Sequence, residues 1–185
     1  AADAAQREER LREATRYYAA ATQLSPNNAQ LYNEWGLAQF LLGDYEAALQ
    51  TYDHSLTLDR AYPQTYLLRA DVYLARKEWP LVIEECRQAV ALDSDLVQAW
   101  SAMGYAYSQM GDWEEAIAAN LRVYALAPDD YNTLKNLAIL YDRAQQPNEA
   151  MTYAELALAA APEAERATIE AFLQELRGGG EEASS

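Results

Sequence analysis

The stretch Trp100-Ser101-Ala102-Met103-Gly104-Tyr105-Ala106-Tyr107, continued by Gly111-Asp112-Trp113, Ala116, Leu126 and Pro128, decides how this chain folds. Trp100, Met103 and Tyr107 are spaced three and four apart, which puts them on one face of a helix. Gly111-Asp112 then supplies a tight turn and a helix-starting residue, and a second helical run follows as far as Pro128. Shifted by 34 residues in either direction, the pattern returns without an insertion, in blocks beginning at Ala29, Pro63, Val97 and Tyr131.

The slots of these blocks agree in chemistry. The eighth residue is always small (Gly36, Ala70, Gly104, Ala138), and so is the twentieth (Ala48, Val82, Ala116, Ala150), as two touching helices require. The fourth is Tyr32, Tyr66, Trp100 or Leu134, and the eleventh is Gln39, Tyr73, Tyr107 or Tyr141, most of them large fillers. Pro80 and Pro147 fall in the first turn of a second helix, where proline loses no intrahelical bond. Asp112 and Glu115 have the spacing of a capping box. Each block thus reads as a helix of about fourteen residues, a short turn and a second helix of similar length, within the usual range for connected helix pairs. The architecture expected is all-α, a right-handed solenoid of helix-turn-helix repeats with a C-terminal capping helix.

These blocks resemble tetratricopeptide repeats, the third most closely. The resemblance divides the chain into the second helix of a partial repeat at 1–28, repeats at 29–62, 63–96, 97–130 and 131–164, a capping helix at 165–177 and a flexible tail at 178–185. Ile169, Phe172, Leu173 and Leu176 give the capping helix its apolar face, and Gly178-Gly179-Gly180 is expected to end it. Two departures stand out. Arg69 occupies a slot that is apolar elsewhere (Trp35, Met103), so it must snorkel or find a carboxylate, and Cys86, Asn120 and Ala154 replace the aromatic present as Tyr52.

Composition narrows the partners. The 185 residues carry 14 Lys+Arg against 29 Asp+Glu, a formal charge of −15. Nucleic acid and anionic membrane surfaces would be repelled, whereas neutral, apolar or basic polypeptides would not. One cysteine and one histidine cannot make a disulfide framework or a common zinc site. No segment approaches the roughly 20 apolar residues that span a bilayer. The compartment stays open, with the cytoplasm the favoured reading.

Catalytic constellations fare poorly. His54 and Cys86 read as helix surface and buried filler, not as a nucleophile and its base. The carboxylate pairs Glu84-Glu85, Glu114-Glu115 and Asp129-Asp130 are adjacent helical or cap residues, which diverge by about 100° instead of converging on a substrate. Gly178-Gly179-Gly180 precedes no helix that could cradle a phosphate. The expectation is a non-enzyme with no cofactor and no metal.

The resemblance implies a groove lined by the fifth, ninth and twelfth residues of each first helix. Here these are Asn33, Leu37 and Phe40; Leu67, Asp71 and Leu74; Ser101, Tyr105 and Ser108; Lys135, Ile139 and Asp142. The opposite stripe already supplies a core, so Leu37, Phe40, Leu67, Leu74, Tyr105 and Ile139 read as surplus and available to a partner. The second slot holds an amide in every block (Gln30, Gln64, Gln98, Asn132), which could hydrogen-bond an extended backbone or be tolerated simply as polar. Members of this family that capture acidic chaperone tails place Lys, Asn and Arg at set slots. Those slots here hold Asn33, Leu37, Leu68, Gln98 and Ala102, or Leu67, Asp71, Ala102, Asn132 and Asn136, with no cation in either frame.

The function expected is a non-catalytic scaffold that binds a partner polypeptide in its concave groove. The alternatives are an accessory repeat region of a larger protein, such as a glycosyltransferase or a membrane-bound polysaccharide enzyme, and a homo-oligomerisation module that self-associates.

Overall fold

A computed structural model describes residues 2–182, with side chains from 3 to 178. The described residues form ten helices and no strand: α1 (Ala2–Leu24), α2 (Ala29–Leu41), α3 (Tyr45–Leu58), α4 (Pro63–Arg76), α5 (Trp79–Leu92), α6 (Val97–Met110), α7 (Trp113–Leu126), α8 (Tyr131–Arg143), α9 (Pro147–Ala160) and α10 (Glu163–Glu182). They fall into two compact units, α1–α5 up to Ser94 and α6–α10 from Asp95.

The same turn closes all four hairpins. Gly43 N donates to Phe40 O at 2.9 Å and Asp44 N to Gln39 O at 2.9 Å; equivalent pairs join Lys77 and Glu78 to Leu74 and Tyr73, Gly111 and Asp112 to Ser108 and Tyr107, and Gln145 and Gln146 to Asp142 and Tyr141. The turn needs one left-handed residue, with φ of 85° at Gly43 and 81° at Gly111. Lys77 (φ 58°) and Gln145 (φ 59°) adopt it with a side chain, at the cost that a Cβ incurs there. Asp44 and Asp112 stand at N-cap positions, but their side chains make no capping bond, with ψ of 62° and 73° instead of an extended value. The capping box expected at Asp112 and Glu115 therefore does not form, and these carboxylates act only as charges near a helix start. Side-chain caps are instead made by Asn28, which accepts from Gln30 N and Leu31 N, and by Asp130, which accepts from Thr133 N.

In the first unit α2 packs on α3, α4 on α5, and α1 and α4 both lie against α2. A core of Ala48, Tyr52, Leu68 and Val72 is flanked by half-buried Leu37, Phe40, Tyr45 and Leu49. Tyr52 is fully buried, its ring against Gly36; a Cβ at Gly36 would fall within 2.7 Å of Tyr52 Cδ1. Arg69 has found the carboxylates it needs, with Nη1 2.8 Å from Asp53 and Nη2 2.9 Å from Glu85. Burial nonetheless lifts the Glu85 carboxyl above the usual carboxylate range, against the pull of Arg69 and with Oε2 buried and unpartnered.

In the second unit α6 packs on α7 and α8 on α9, α7 lies against α8, and α10 lies against α9. The core joins Leu134, Ala138, Ala150, Ala154 and Ala157 to Ile169, Leu173 and Leu176 of α10, the apolar face expected of a capping helix. One expectation fails here. The glycines at 178–180 do not end α10, which continues to Glu182, because glycine costs only about 1 kcal/mol per helical residue and no proline follows to stop the helix. Of the tail expected at 178–185, residues 183–185 lie outside the described residues.

Candidate interaction site

The residues considered as nucleophile and base lie on different helices, His54 on α3 and Cys86 on α5. His54 is an exposed residue of α3 whose ring lies 4.2 Å from that of Tyr32. Cys86 is fully buried, and desolvation pushes its thiol pKa up to about 12, so almost no thiolate exists at neutral pH. Among the described residues no group of three His, Cys, Asp or Glu could hold a metal ion, and no helix is long and apolar enough to cross a membrane.

The groove residues of the first unit are largely consumed by packing. The Asn33 amide and the Thr65 hydroxyl bond each other reciprocally, at 2.8 Å from Asn33 Nδ2 and 3.1 Å to Asn33 Oδ1, and both residues are buried where α2 meets α4. At Asn33 the fifth slot is thus a seam between first helices. Leu67, also in that slot, is 8% exposed, and Leu37 and Phe40 pack on the core, with Phe40 5.7 Å from the Tyr45 ring. The expectation that Leu37, Phe40 and Leu67 are surplus is corrected accordingly, since they help to hold the single copy together. Leu74 is half-buried. Asp71 is exposed, yet its carboxyl lies low enough among its neighbours for desolvation to raise its pKa above the ordinary value.

The second unit presents a different surface. Residues from α6 (Ser101, Gly104, Tyr105, Ser108, Gln109), α7 (Trp113, Asn120) and α8 with its cap (Asp130, Asn132, Thr133, Asn136, Ile139, Leu140, Arg143) line a cleft of about 440 Å³. Of the groove residues, Ser101, Tyr105, Ser108, Ile139 and the amide Asn132 come together here. Lys135 and Asp142 do not line it; Lys135 Nζ lies 5.0 Å from the Tyr131 ring, and Asp142 is exposed. The amides Gln30, Gln64 and Gln98 are also exposed, and Gln30 borders a separate, shallow depression of about 790 Å³ beside Pro26 and Tyr62. That depression is larger, but it is formed mainly by loops and helix ends, whereas the smaller cleft is walled by three helices.

Tyr105 is 52% and Ile139 40% exposed, and what sets them apart from isolated apolar residues on a surface is that both line the same cleft. Around them stand Gln109, Asn120, Asn132 and Asn136, groups that both donate and accept. The charged members are restrained: Asp130 Oδ2 accepts from Thr133 N at 2.7 Å and Thr133 Oγ1 at 2.6 Å, which leaves Arg143 as the cation of the cleft. Apolar walls with a few convergent polar groups are the usual make-up of a recognition site.

Sequence reasoning missed Gly104, Gln109, Trp113, Asn120, Asp130, Thr133, Asn136, Leu140 and Arg143 as cleft residues. A signal was present, because the eighth-slot glycine is kept at Gly104 while the aromatic partner slot holds Asn120 instead of a tyrosine.

Comparison with known proteins agrees with the fold. Two family models, both for the tetratricopeptide repeat, match residues 95–163 and 1–65. The human RNA polymerase II-associated protein 3 is 28% identical over 109 residues, covering 59% of this chain and 16% of that protein. The chain spans between 11% and 16% of the length of the curated relatives it matches. Among solved structures, MamA superposes with a TM-score of 0.75 at 21% identity, covering 90% of each chain. The first tetratricopeptide domain of Spaghetti (RPAP3), bound to an HSP90 peptide, gives a TM-score of 0.60 at 26% identity, covering 63% of this chain and 93% of that one. The chain belongs to the tetratricopeptide repeat family.

Proposed function

We propose that this chain is a non-catalytic interaction scaffold that binds a partner polypeptide, with the α6–α8 cleft of the second unit as its main contact. The observation that carries this reading is the exposure of Tyr105 and Ile139 in a polar-lined cleft, when Leu37, the other apolar residue of their slot, packs on a core. Neither side chain is in the core assembled by α8, α9 and α10. The peptide-bound Spaghetti domain lends general support to polypeptide binding on this fold.

It does not extend to the same mode of capture. The positions that would clamp an acidic tail carry no cation in either frame, and the second unit has five Lys+Arg against fifteen Asp+Glu. A neutral or apolar segment meets less repulsion there, and a basic one is attracted and associates faster at low salt. The repeats at 29–62, 63–96, 97–130 and 131–164 serve as scaffold, the first pair contributing mainly stability and the second pair recognition.

The test is affinity capture from an extract of the source organism, followed by calorimetry with the purified partner. Tyr105→Ala combined with Ile139→Glu should abolish capture while helical CD and Tm stay near wild type. Leu156→Glu, at a 42% exposed position on α9, should capture normally. Equal capture by both variants would reject the cleft as the binding surface. A partner that proves to be a second copy of the chain would favour the self-association reading, and sedimentation at several concentrations would reveal it.

A further inference from the structure

Two pairs of residues, 68 positions apart and therefore in the same repeat slots, have been filled differently. In the first unit Gly36 faces Tyr52, whose ring lies so close that a Cβ on Gly36 would meet Cδ1 at 2.7 Å and Cζ at 2.9 Å. The glycine is there because the ring needs its space. In the second unit the glycine is retained as Gly104, but its partner is Asn120, a side chain shorter by a whole ring. Asn120 covers Gly104 with its amide, anchored by Nδ2 donating to Ala116 O at 2.9 Å, and reaches no further. The space beyond it is the cleft, with buried Gly104 and Asn120 at its base and Tyr105 and Ile139 at its rim.

From this we infer that the cleft receives an aromatic side chain of the bound polypeptide, a tyrosine by preference, in the room that Tyr52 fills from within in the first unit. This rests on the proposed polypeptide binding and adds the residue recognised. Tyr105 and Trp113 offer aromatic faces for a ring, and Ile139 and Leu140 close the apolar wall. With Nδ2 committed to Ala116, Asn120 offers its Oδ1 as an acceptor, which suits the phenol O–H of tyrosine and leaves phenylalanine without that bond. The hydroxyl of Tyr52 itself is buried with no partner in the first unit. A tyrosine arriving from outside would find in the cleft the polar company that Tyr52 lacks.

p-Cresol, the tyrosine side chain as a free molecule, tests this without any partner. Titrated into ¹⁵N-labelled protein, it should give saturable shifts concentrated at Gly104, Tyr105, Asn120 and Ile139, with toluene binding at least several-fold more weakly. Asn120→Tyr, which rebuilds the pairing of the first unit, should abolish the p-cresol shifts. Should that variant lose its native CD spectrum, Ile139→Glu at the exposed rim should still weaken p-cresol binding several-fold. Shifts confined to another surface, unchanged binding in a folded Asn120→Tyr, or toluene binding as well as p-cresol would each overturn the inference. Its failure would leave polypeptide capture through Tyr105 and Ile139 intact, whereas full capture by a folded Asn120→Tyr would show that the partner does not use the cleft.

Discussion

Replacing Gly36 with alanine puts a methyl group where the Tyr52 ring already lies. The added Cβ would fall well inside 3.0 Å of three ring atoms, and the ring, fully buried, has no open space to turn into. Overpacking costs about 1–3 kcal/mol, and a Cβ this close to three atoms of a fully buried ring belongs in the upper part of that range, about 2–3 kcal/mol. Alanine recovers part of that, because it favours the helix over glycine by about 1 kcal/mol. The net loss is about 1–2 kcal/mol, and at about 2–4 °C per kcal/mol for a chain of this size Tm falls by roughly 2–8 °C. Thermal and urea unfolding followed by CD would measure it. Gly178→Ala is the control, since nothing lies within 4 Å of a Cβ there and the substitution should stabilise by up to about 1 kcal/mol. In a double-mutant cycle, Tyr52→Asn should relieve much of the Gly36→Ala penalty, with a coupling of about 0.5–3 kcal/mol. A Gly36→Ala protein as stable as wild type, or zero coupling to Tyr52, would refute the ring-on-glycine packing from which the open cleft at Gly104 is read.

Three further outcomes follow from the same structure. Lys77→Gly, at φ 58°, should raise stability by about 0.5–1 kcal/mol by removing a Cβ from a left-handed position, as read by urea midpoint. The Asp71 carboxyl titrates above its unfolded value, so the native state holds its proton more tightly and stability from this group falls as pH rises through that window. Asp71→Asn should therefore raise Tm at pH 7, and the gain should vanish once acidification has protonated Asp71; a gain unchanged at low pH would contradict the assignment. The Cys86 thiol, buried and with its pKa pushed up to about 12, should resist alkylation at pH 8 in the native protein and react fully in urea, as followed by mass spectrometry.

Much of the fold was legible because the signals are local and repeated. Slots 34 residues apart carry small residues where helices touch, and the apolar face of Ile169, Leu173 and Leu176 packs where a capping face should. Arg69 was recognisable as a charge that must snorkel or find a carboxylate, and it meets Asp53 and Glu85. The groove was harder to read. A helical stripe says which residues share a face but not how closely the next helix approaches it, and so Asn33 fell at a seam and Leu67 in a buried position instead of on an open surface. Whether Leu37 and Phe40 are covered depends on Tyr45 and Leu49 reaching them from the next helix, which spacing does not encode. The cleft was hinted at by Gly104 opposite Asn120, but only the sight of Tyr52 lying on Gly36 gives that mismatch a volume.

Hydrogen–deuterium exchange of the chain alone and with its captured partner asks most directly whether the second unit's first helices form the recognition surface. Protection should appear in Ser101–Met110 and Tyr131–Arg143 and be absent from the exposed side of α9 around Leu156. Protection confined to α9, or to the first unit, would contradict it.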